Sequence, residues 1–247
     1  MTGEPVPHDP EDGSATSAGQ AGPVDLTPTP AARAIFADRL APAEQFVTLL
    51  ATDGVEHGHI GPRERSRLWD RHLVNSALVT DLLPVGARVV DVGSGAGLPG
   101  IPMAIRRPDL HLDLVEPMLR RTRFLESAVA TLELGDQIRI VRGRADEPAV
   151  LAEVGSADFV VARAVAPLDR LVRWCLPLLA PGGRLLALKG ASATDEVVQH
   201  RAALSRLGAA EITVHELGAD LGSEPTWVVQ VTRSARTAGR RPARRAR

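Results

Sequence analysis

Val89-Val90-Asp91-Val92-Gly93-Ser94-Gly95-Ala96-Gly97-Leu98-Pro99-Gly100 is the stretch that decides how this chain is read. A short apolar run of buried-strand character passes straight into a glycine loop, and a helix opens near Pro99. Glycines suit such a junction because a side chain would hold a ligand off the strand ends, and because a tight turn can require positive φ. Two ligand classes use this geometry. A dinucleotide asks for G-x-G-x-x-G, but Gly93 and Gly95 are followed by Leu98 where the third glycine would stand. Asp91, two residues ahead of the loop, suits a ligand carrying positive charge better than a pyrophosphate.

Outward from the loop, β-branched runs at 88–92, 111–116, 137–141, 158–162 and 184–189 alternate with helical stretches. That pattern predicts parallel strands joined by crossover helices. The runs at 210–216 and 227–232 are separated only by a polar loop, too short for a crossover, so they are expected to form an antiparallel pair at one edge. Glu116 ends the second strand, about 20 residues past the loop, where a bound ribose would need an acceptor; a solvated surface glutamate is the plainer alternative. Asp146, after the third strand, could read the amino group of an adenine or simply cap the helix before Pro148. Ahead of the loop, apolar residues between 31 and 84 recur at three- and four-residue steps, interrupted by Gly54, Gly58, Gly61 and Pro62. They predict a small helical subdomain.

At 247 residues and 26.2 kDa, with 44% hydrophobic and 24% charged residues, the chain has room for one ordinary core and has the composition of a soluble globular protein. No apolar stretch is long enough for a membrane helix, and the first thirty residues lack a secretory pattern. Cys175 is the single cysteine, so no internal disulfide can form. These features point to the cytoplasm. Lys189 is the only lysine among 29 basic residues and tyrosine is absent, which reads as coding bias. Charge is sharply divided. Residues 1–27 carry five acids and no Lys or Arg, and 233–247 carry seven arginines and no acid. Both are expected to be disordered tails, one acidic and one Arg-rich, around a helical part at 28–84 and an α/β domain at 85–232 that carries the glycine loop. Removing those five acids and seven arginines from a total of −1 leaves residues 28–232 at −3. The folded part therefore does not advertise a polyanion partner, whereas the basic tail could meet RNA or membrane phosphates.

The spacing of Asp91, Gly93, Gly95 and Gly97 resembles the first motif of the S-adenosylmethionine-dependent methyltransferases. Arg71-His72-Leu73-Val74-Asn75-Ser76, Leu98-Pro99-Gly100-Ile101-Pro102, Arg121-Thr122-Arg123-Phe124-Leu125, Ala162-Arg163-Ala164 and Ala187-Leu188-Lys189-Gly190 narrow the likeness further. Together they resemble the bacterial 16S rRNA guanine-N7 methyltransferases of the RsmG (GidB) type over about residues 31–232. Asn75 departs from the aspartate often found there. The resemblance implies an α/β fold, the Rossmann-like class I S-adenosylmethionine-dependent methyltransferase fold. Its mostly parallel seven-stranded sheet would carry an antiparallel edge pair and a small N-terminal helical subdomain. It also implies S-adenosyl-L-methionine bound at Gly93, Leu98, Ala145, Asp146 and Arg163, joined by Asp91, Gly95, Gly97 and Glu116 from the residue reading. The implied partner is 16S rRNA or the small ribosomal subunit, methylated in its decoding region, with no membrane partner and the enzyme a monomer.

The chemistry of the residues agrees. No Asn/Asp-Pro-Pro-aromatic tetrapeptide of exocyclic-amine methylation occurs, and Cys175 lies on a helix expected to be buried, unsuited to attack on cytosine C5. Guanine N7 already offers an in-plane lone pair, so no catalytic proton-transfer residue is expected and alignment supplies the acceleration. Candidate RNA contacts are Arg123, Lys189 and His72, the last two with bland alternatives as a sequence accident and a packing residue. Arg120 and Arg121 read as a solvated helix face, Phe124, Leu125, Ala128, Val129 and Leu132 as core. His57 and His59 lack a third ligand for a metal. A methyltransferase acting on another substrate, or an RNA-binding assembly factor with an inactive pocket, are the competing functions.

Overall fold

The computed structural model describes residues 25–163, 166–222 and 224–235. Among these, seven strands form one sheet: β1 (Arg88–Val92), β2 (His111–Glu116), β3 (Ile138–Arg142), β4 (Ala157–Arg163), β5 (Leu179–Lys189), β6 (Ala209–Leu217) and β7 (Thr226–Arg233). Their order is β3-β2-β1-β4-β5-β7-β6. The first five are mutually parallel, and β7 runs antiparallel to both β5 and β6. The doubly wound sheet with an antiparallel edge is thus the expected one. Its chain reverses direction of winding between β1 and β4, which opens a crevice above their carboxyl ends.

Strand boundaries agree with the sequence pattern to within a residue except at β5. There the strand begins at Leu179, ahead of Pro181-Gly182-Gly183, because Leu179 pairs with Ala157 and a register shift between Ala157 and Phe159 absorbs the turn-like residues.

Helices cover both faces. On one lie α1 (Pro30–Phe36), α2 (Leu40–Leu49), α3 (Asn75–Leu78), α4 (Gly100–Arg106) and α5 (Leu119–Thr131). On the other lie α6 (Pro148–Val154), α7 (Leu168–Cys175) and α8 (Ala193–Leu207). Period-two alternation sorts the strand residues between them: Val89 packs toward the first layer, Val90 and Val92 toward the second. Thr29 caps α1 by accepting the Ala32 N–H at 3.2 Å, with Pro30 at the first helical position.

The N-terminal helices do not build a core of their own. Phe36, Phe46, Leu50 and Leu73 share one hydrophobic cluster with Ile101, Leu114 and Leu125. Each such fully buried side chain contributes about 1.5–3 kcal/mol of transfer free energy, so this shared cluster welds residues 28–84 to the sheet. Residues at the inner edges of both expected tails make contacts with the folded part. Leu26 packs on the cluster and its carbonyl accepts the Trp69 indole N–H at 2.7 Å, while residues 1–24 lie outside the described residues. Arg233 closes β7, its guanidinium donating to the Leu179 carbonyl, and residues 236–247 again lie outside the described residues. No helix among the described residues is long and apolar enough to cross a membrane.

Candidate active site

The glycine loop is fastened from three sides. Gly93 and Ser94 both donate backbone N–H groups to the Val115 carbonyl, at 2.8 and 3.3 Å, tying the loop to β2. Glu116, almost fully buried, accepts the Gly95 N–H on Oε2 and the Met118 N–H on Oε1, each at 3.0 Å. Asp91 Oδ2 accepts the Gly100 N–H at 3.0 Å. Two glycines are required by close approach. A Cβ on Gly97 would stand 2.5 Å from Ile101 Cδ1 on a backbone with φ of +86°, and one on Gly100 would run into Leu114 and come within 2.8 Å of Asp91 Oδ2. The Leu98-Pro99-Gly100-Ile101-Pro102 sequence is therefore the packing of the helix start onto β1 and β2.

Above the strand ends lies a cavity of about 480 Å³, within the size range of small-molecule sites. Its walls include Gly93, Ser94, Gly95, Ala96 and Leu98 from the loop, Glu116, Pro117, Met118 and Arg121 after β2, Gly143 to Asp146 after β3, and Arg163 ending β4. His59, Ile60 and His72 close it from the N-terminal layer, and Trp174 from α7. Of the expected cofactor residues, Gly93, Gly95, Leu98, Glu116, Ala145, Asp146 and Arg163 thus meet at one cavity. Asp146 does not cap α6, whose N-cap is Glu147; its carboxylate faces Arg144 at 3.2 Å.

Four expectations are corrected. Asp91 does not present its carboxylate to the ligand: it is wholly buried beneath the loop, on the same side of β1 as Val89, and burial pushes its pKa up to about 7 against the opposing Gly100 hydrogen bond. Gly97 does not line the cavity either; it is the packing point on Ile101 and Leu125. Lys189 is engaged inside the protein, its Nζ on the Ala166 carbonyl at 3.0 Å and on Glu196 Oε1 at 2.9 Å. His72 is buried with both ring nitrogens occupied, so it offers no polar atom to RNA. Arg123 is exposed on α5 and lies outside the cavity lining.

The partners of His72 fix its tautomer. Glu64 Oε2 at 2.9 Å only accepts, so Nε2 carries the hydrogen; Arg163 Nη2 at 2.9 Å only donates, so Nδ1 is the acceptor. Burial, then the Arg163 charge, lower the His72 pKa to about 4, so the ring is neutral at physiological pH. Arg163 also donates from Nη1 to the His72 carbonyl and to Ser76 Oγ, at 3.3 and 3.1 Å, and from Nη2 to the Arg71 carbonyl at 3.1 Å. Its guanidinium staples the π-helical turn Leu68–Val74 and the start of α3 to the end of β4. Burial in that position lowers its pKa to about 10, leaving it charged.

Two cavity residues carry buried polar atoms without a partner in the chain: His59 Nδ1 and Arg121 Nε. They flank Glu116, Arg121 Nη1 lying 3.8 Å from Glu116 Oε2, and the His59 ring packs tilted against Phe124 with ring centroids 4.9 Å apart and planes 40° apart. Burial, then Arg120 and Arg121, lower the His59 pKa. Unsatisfied buried groups at a cavity wall mark where a polar ligand fits. Sequence reading left both out of the site. The helical period gave a signal for Arg121, four residues before the buried Leu125. For His59, Ile60, Met118 and Trp174 no local pattern gave one. No group of three or more potential metal ligands occurs among the described residues.

A family model described as rRNA small subunit methyltransferase G (GidB) matches residues 39–224. A protein from Salinispora arenicola named ribosomal RNA small subunit methyltransferase G is 56% identical over 229 residues, covering 90% of this chain and 95% of its own length. Proteins of the same name from Rhodococcus jostii and Mycobacterium leprae are each 51% identical, covering 89% and 85% of this chain and 96% and 84% of their own. Among solved structures, the S-adenosylmethionine-dependent methyltransferase SibL in its apo form aligns with a TM-score of 0.54 at 19% identity, over 83% of this chain and 70% of that one. The pyocyanin biosynthetic protein PhzM aligns at 0.53 and 16%, over 75% and 60%. At such identities these two bear on the fold alone.

Proposed function

Because the chain belongs to the rRNA small subunit methyltransferase G family, we propose that it transfers a methyl group from S-adenosylmethionine to N7 of one guanine in 16S rRNA, in the decoding region of the small ribosomal subunit. The observation that carries this reading is the single cavity joining the glycine loop, Glu116, Ala145, Asp146 and Arg163. Backbone at Gly93 to Gly95 gives the donor close approach to the strand ends. Glu116 spends one lone pair of each oxygen on loop N–H groups and keeps the others for ribose hydroxyls. Asp146 accepts from the adenine amino group, Ala145 and Leu98 supply apolar walls, and the unpartnered His59 Nδ1 and Arg121 Nε complete the polar fit.

When bound, S-adenosylmethionine supplies an electrophilic methyl on a cationic sulfur. This chain's residues then have only to hold donor and acceptor in line and keep water out, since guanine N7 loses no proton. That task fits the cavity's titratable groups. His72 is held neutral between Glu64 and Arg163, and its one acceptor nitrogen is occupied, so it is a support and not a base. Arg163 keeps its charge at the cavity wall while its amino groups lock the N-terminal layer in place. Action as a monomer is part of the same proposal, and a ribosomal substrate supports the cytoplasm as its compartment. Arg123, exposed beside the site on α5, is retained as an RNA contact.

The experiment is incubation of the purified protein with methyl-labelled S-adenosylmethionine and, separately, 16S rRNA, small subunits and assembling particles from a strain lacking this enzyme, followed by mapping of the labelled nucleotide. Label at guanine N7 in 16S rRNA is expected. Label in protein or a metabolite alone, or cofactor binding too weak to measure by calorimetry, would overturn the proposal.

A further inference from the structure

The outer side of α7 is not explained by anything above. Leu168, Leu171, Val172 and Cys175 turn inward and are buried, which leaves Arg170, Arg173 and Trp174 on the opposite face at helical spacing. Arg170 and Arg173 are exposed, and among the described residues neither has a hydrogen bond or an ion pair. Asp169, beside them, is turned to His200 Nδ1 at 3.7 Å. Trp174 packs part of its indole on the second core cluster and leaves the rest open. That ring walls two spaces at once: the cavity over the glycine loop, and a hollow next to it formed by Asp169, Arg170, Arg173 and Trp174. The Arg144 guanidinium carbon lies 6.0 Å from the indole centroid.

An aromatic face continuous with the reaction cavity, rimmed by unpaired guanidinium groups, matches one polymer above others. Single-stranded RNA combines flat bases that stack on aromatic rings with phosphates that seek arginine, and it must leave the duplex to bring a base into an enclosed cavity. A protein partner would more readily use an apolar patch, and here the indole stands among cations. Since residues 28–232 sum to −3, two unpaired arginines here are a local departure from the average charge. We propose that the outer face of α7 is the RNA-docking subsite, with a nucleotide neighbouring the target guanine stacked on Trp174 and its phosphates on Arg170 and Arg173. The proposal rests on the rRNA methyltransferase reading and assigns that substrate a path into the site.

The test compares the wild type with Trp174→Ala, Trp174→Phe and the double variant Arg170→Gln/Arg173→Gln, each as the full chain. Loss of one stacked base should raise the KM for RNA roughly 5- to 100-fold in Trp174→Ala, more than it raises the cofactor Kd, with Trp174→Phe restoring part of the loss. The double arginine variant, altered only at exposed positions, should leave the cofactor Kd unchanged. Its log–log salt dependence of RNA binding should be shallower by about 1.4, from ~0.7 per lost single-strand phosphate contact. A Trp174→Ala defect confined to cofactor binding would make the indole a cofactor wall and overturn the subsite. So would an unaltered salt slope in the double variant, which remains decisive should Trp174→Ala fail to fold. Wild-type protein that methylates no 16S substrate would sink the underlying reading instead, a result distinguishable from variants that behave as wild type while the wild type turns over.

Discussion

Replacing Asp91 by asparagine should give a stability that climbs with pH, and replacing His72 by asparagine should give one that falls. Between pH 4 and 6.5 the wild-type contributions of the two residues nearly cancel. Asp91 titrates near 3.8 when unfolded and near 7 when folded, because burial disfavours its charge. The native state therefore holds the proton that the unfolded state has released. Its contribution is fully present below about pH 3.8 and is lost as pH rises through 7, a change of about 4 kcal/mol. His72 runs the other way. Its folded pKa is depressed to about 4 from 6.5, so the unfolded state binds the extra proton; its contribution is complete above 6.5 and is lost as pH falls to 4, about 3 kcal/mol.

Urea midpoints followed by circular dichroism at half-unit pH steps and fixed ionic strength measure the effect. Differences between each variant and the wild type remove titrations common to all three, such as that of Asp109, held well below the carboxylate range by Arg107. The Asp91→Asn minus wild-type curve should rise by about 4 kcal/mol from pH 4 to 7, and the His72→Asn curve should fall by about 3 kcal/mol from pH 4 to 6.5. Heights of the curves are free to differ through packing; the slopes carry the claim. A flat difference curve for Asp91→Asn would mean that the carboxylate is charged in the native protein, and the buried position assigned to it would be wrong.

Gly100→Ala should cost about 1–3 kcal/mol in urea unfolding, because its Cβ meets the fully buried Leu114 and Asp91 Oδ2 with no backbone strain to share the blame; an unchanged midpoint would deny that contact. Glu116→Gln sets an amide N–H against one of the two loop N–H donors and should weaken S-adenosylmethionine binding by calorimetry at least tenfold, consistent with about 1.5–3 kcal/mol for a hydrogen bond to a charged group. An unaltered Kd would remove Glu116 from the site. Cys175, buried and with its thiol pKa pushed up by that burial, should resist iodoacetamide at pH 8 in the native protein and react fully in urea; rapid native labelling would contradict the packing of α7.

The sheet was legible because β-branched runs and glycine punctuation report backbone geometry locally. The strand limits at β1 and β2 coincide with the apolar runs for that reason. The walls of the cavity were legible only where they belong to the same local code: loop, strand end, residue after the strand. His59 and Trp174 reach the cavity from elements remote in sequence, and nothing in their own neighbourhoods distinguishes them from loop and helix-surface residues. Lys189 misled for a complementary reason. Being the only lysine, at a strand end, marked it for a substrate, yet a half-buried carboxylate partner on α8, Glu196, already pairs with it.

Asp91 is the instructive residue, because the information needed to place it was in the sequence. Strand residues alternate in direction, so Asp91 had to point with Val89 toward the layer of α4, while only the strand's end faces the cavity. The same parity on β2 turns Glu116 with Leu112 and Leu114 to that side. The two carboxylates then hold successive parts of one loop, Glu116 at Gly95 and Asp91 at Gly100. Of the two, only Glu116 stands at a strand terminus, where a side chain can bond the loop and still reach a ligand. An acid one residue further back on its strand, as Asp91 is on β1, becomes part of the scaffold. That single step of register separates a binding residue from a structural one in this glycine-loop site.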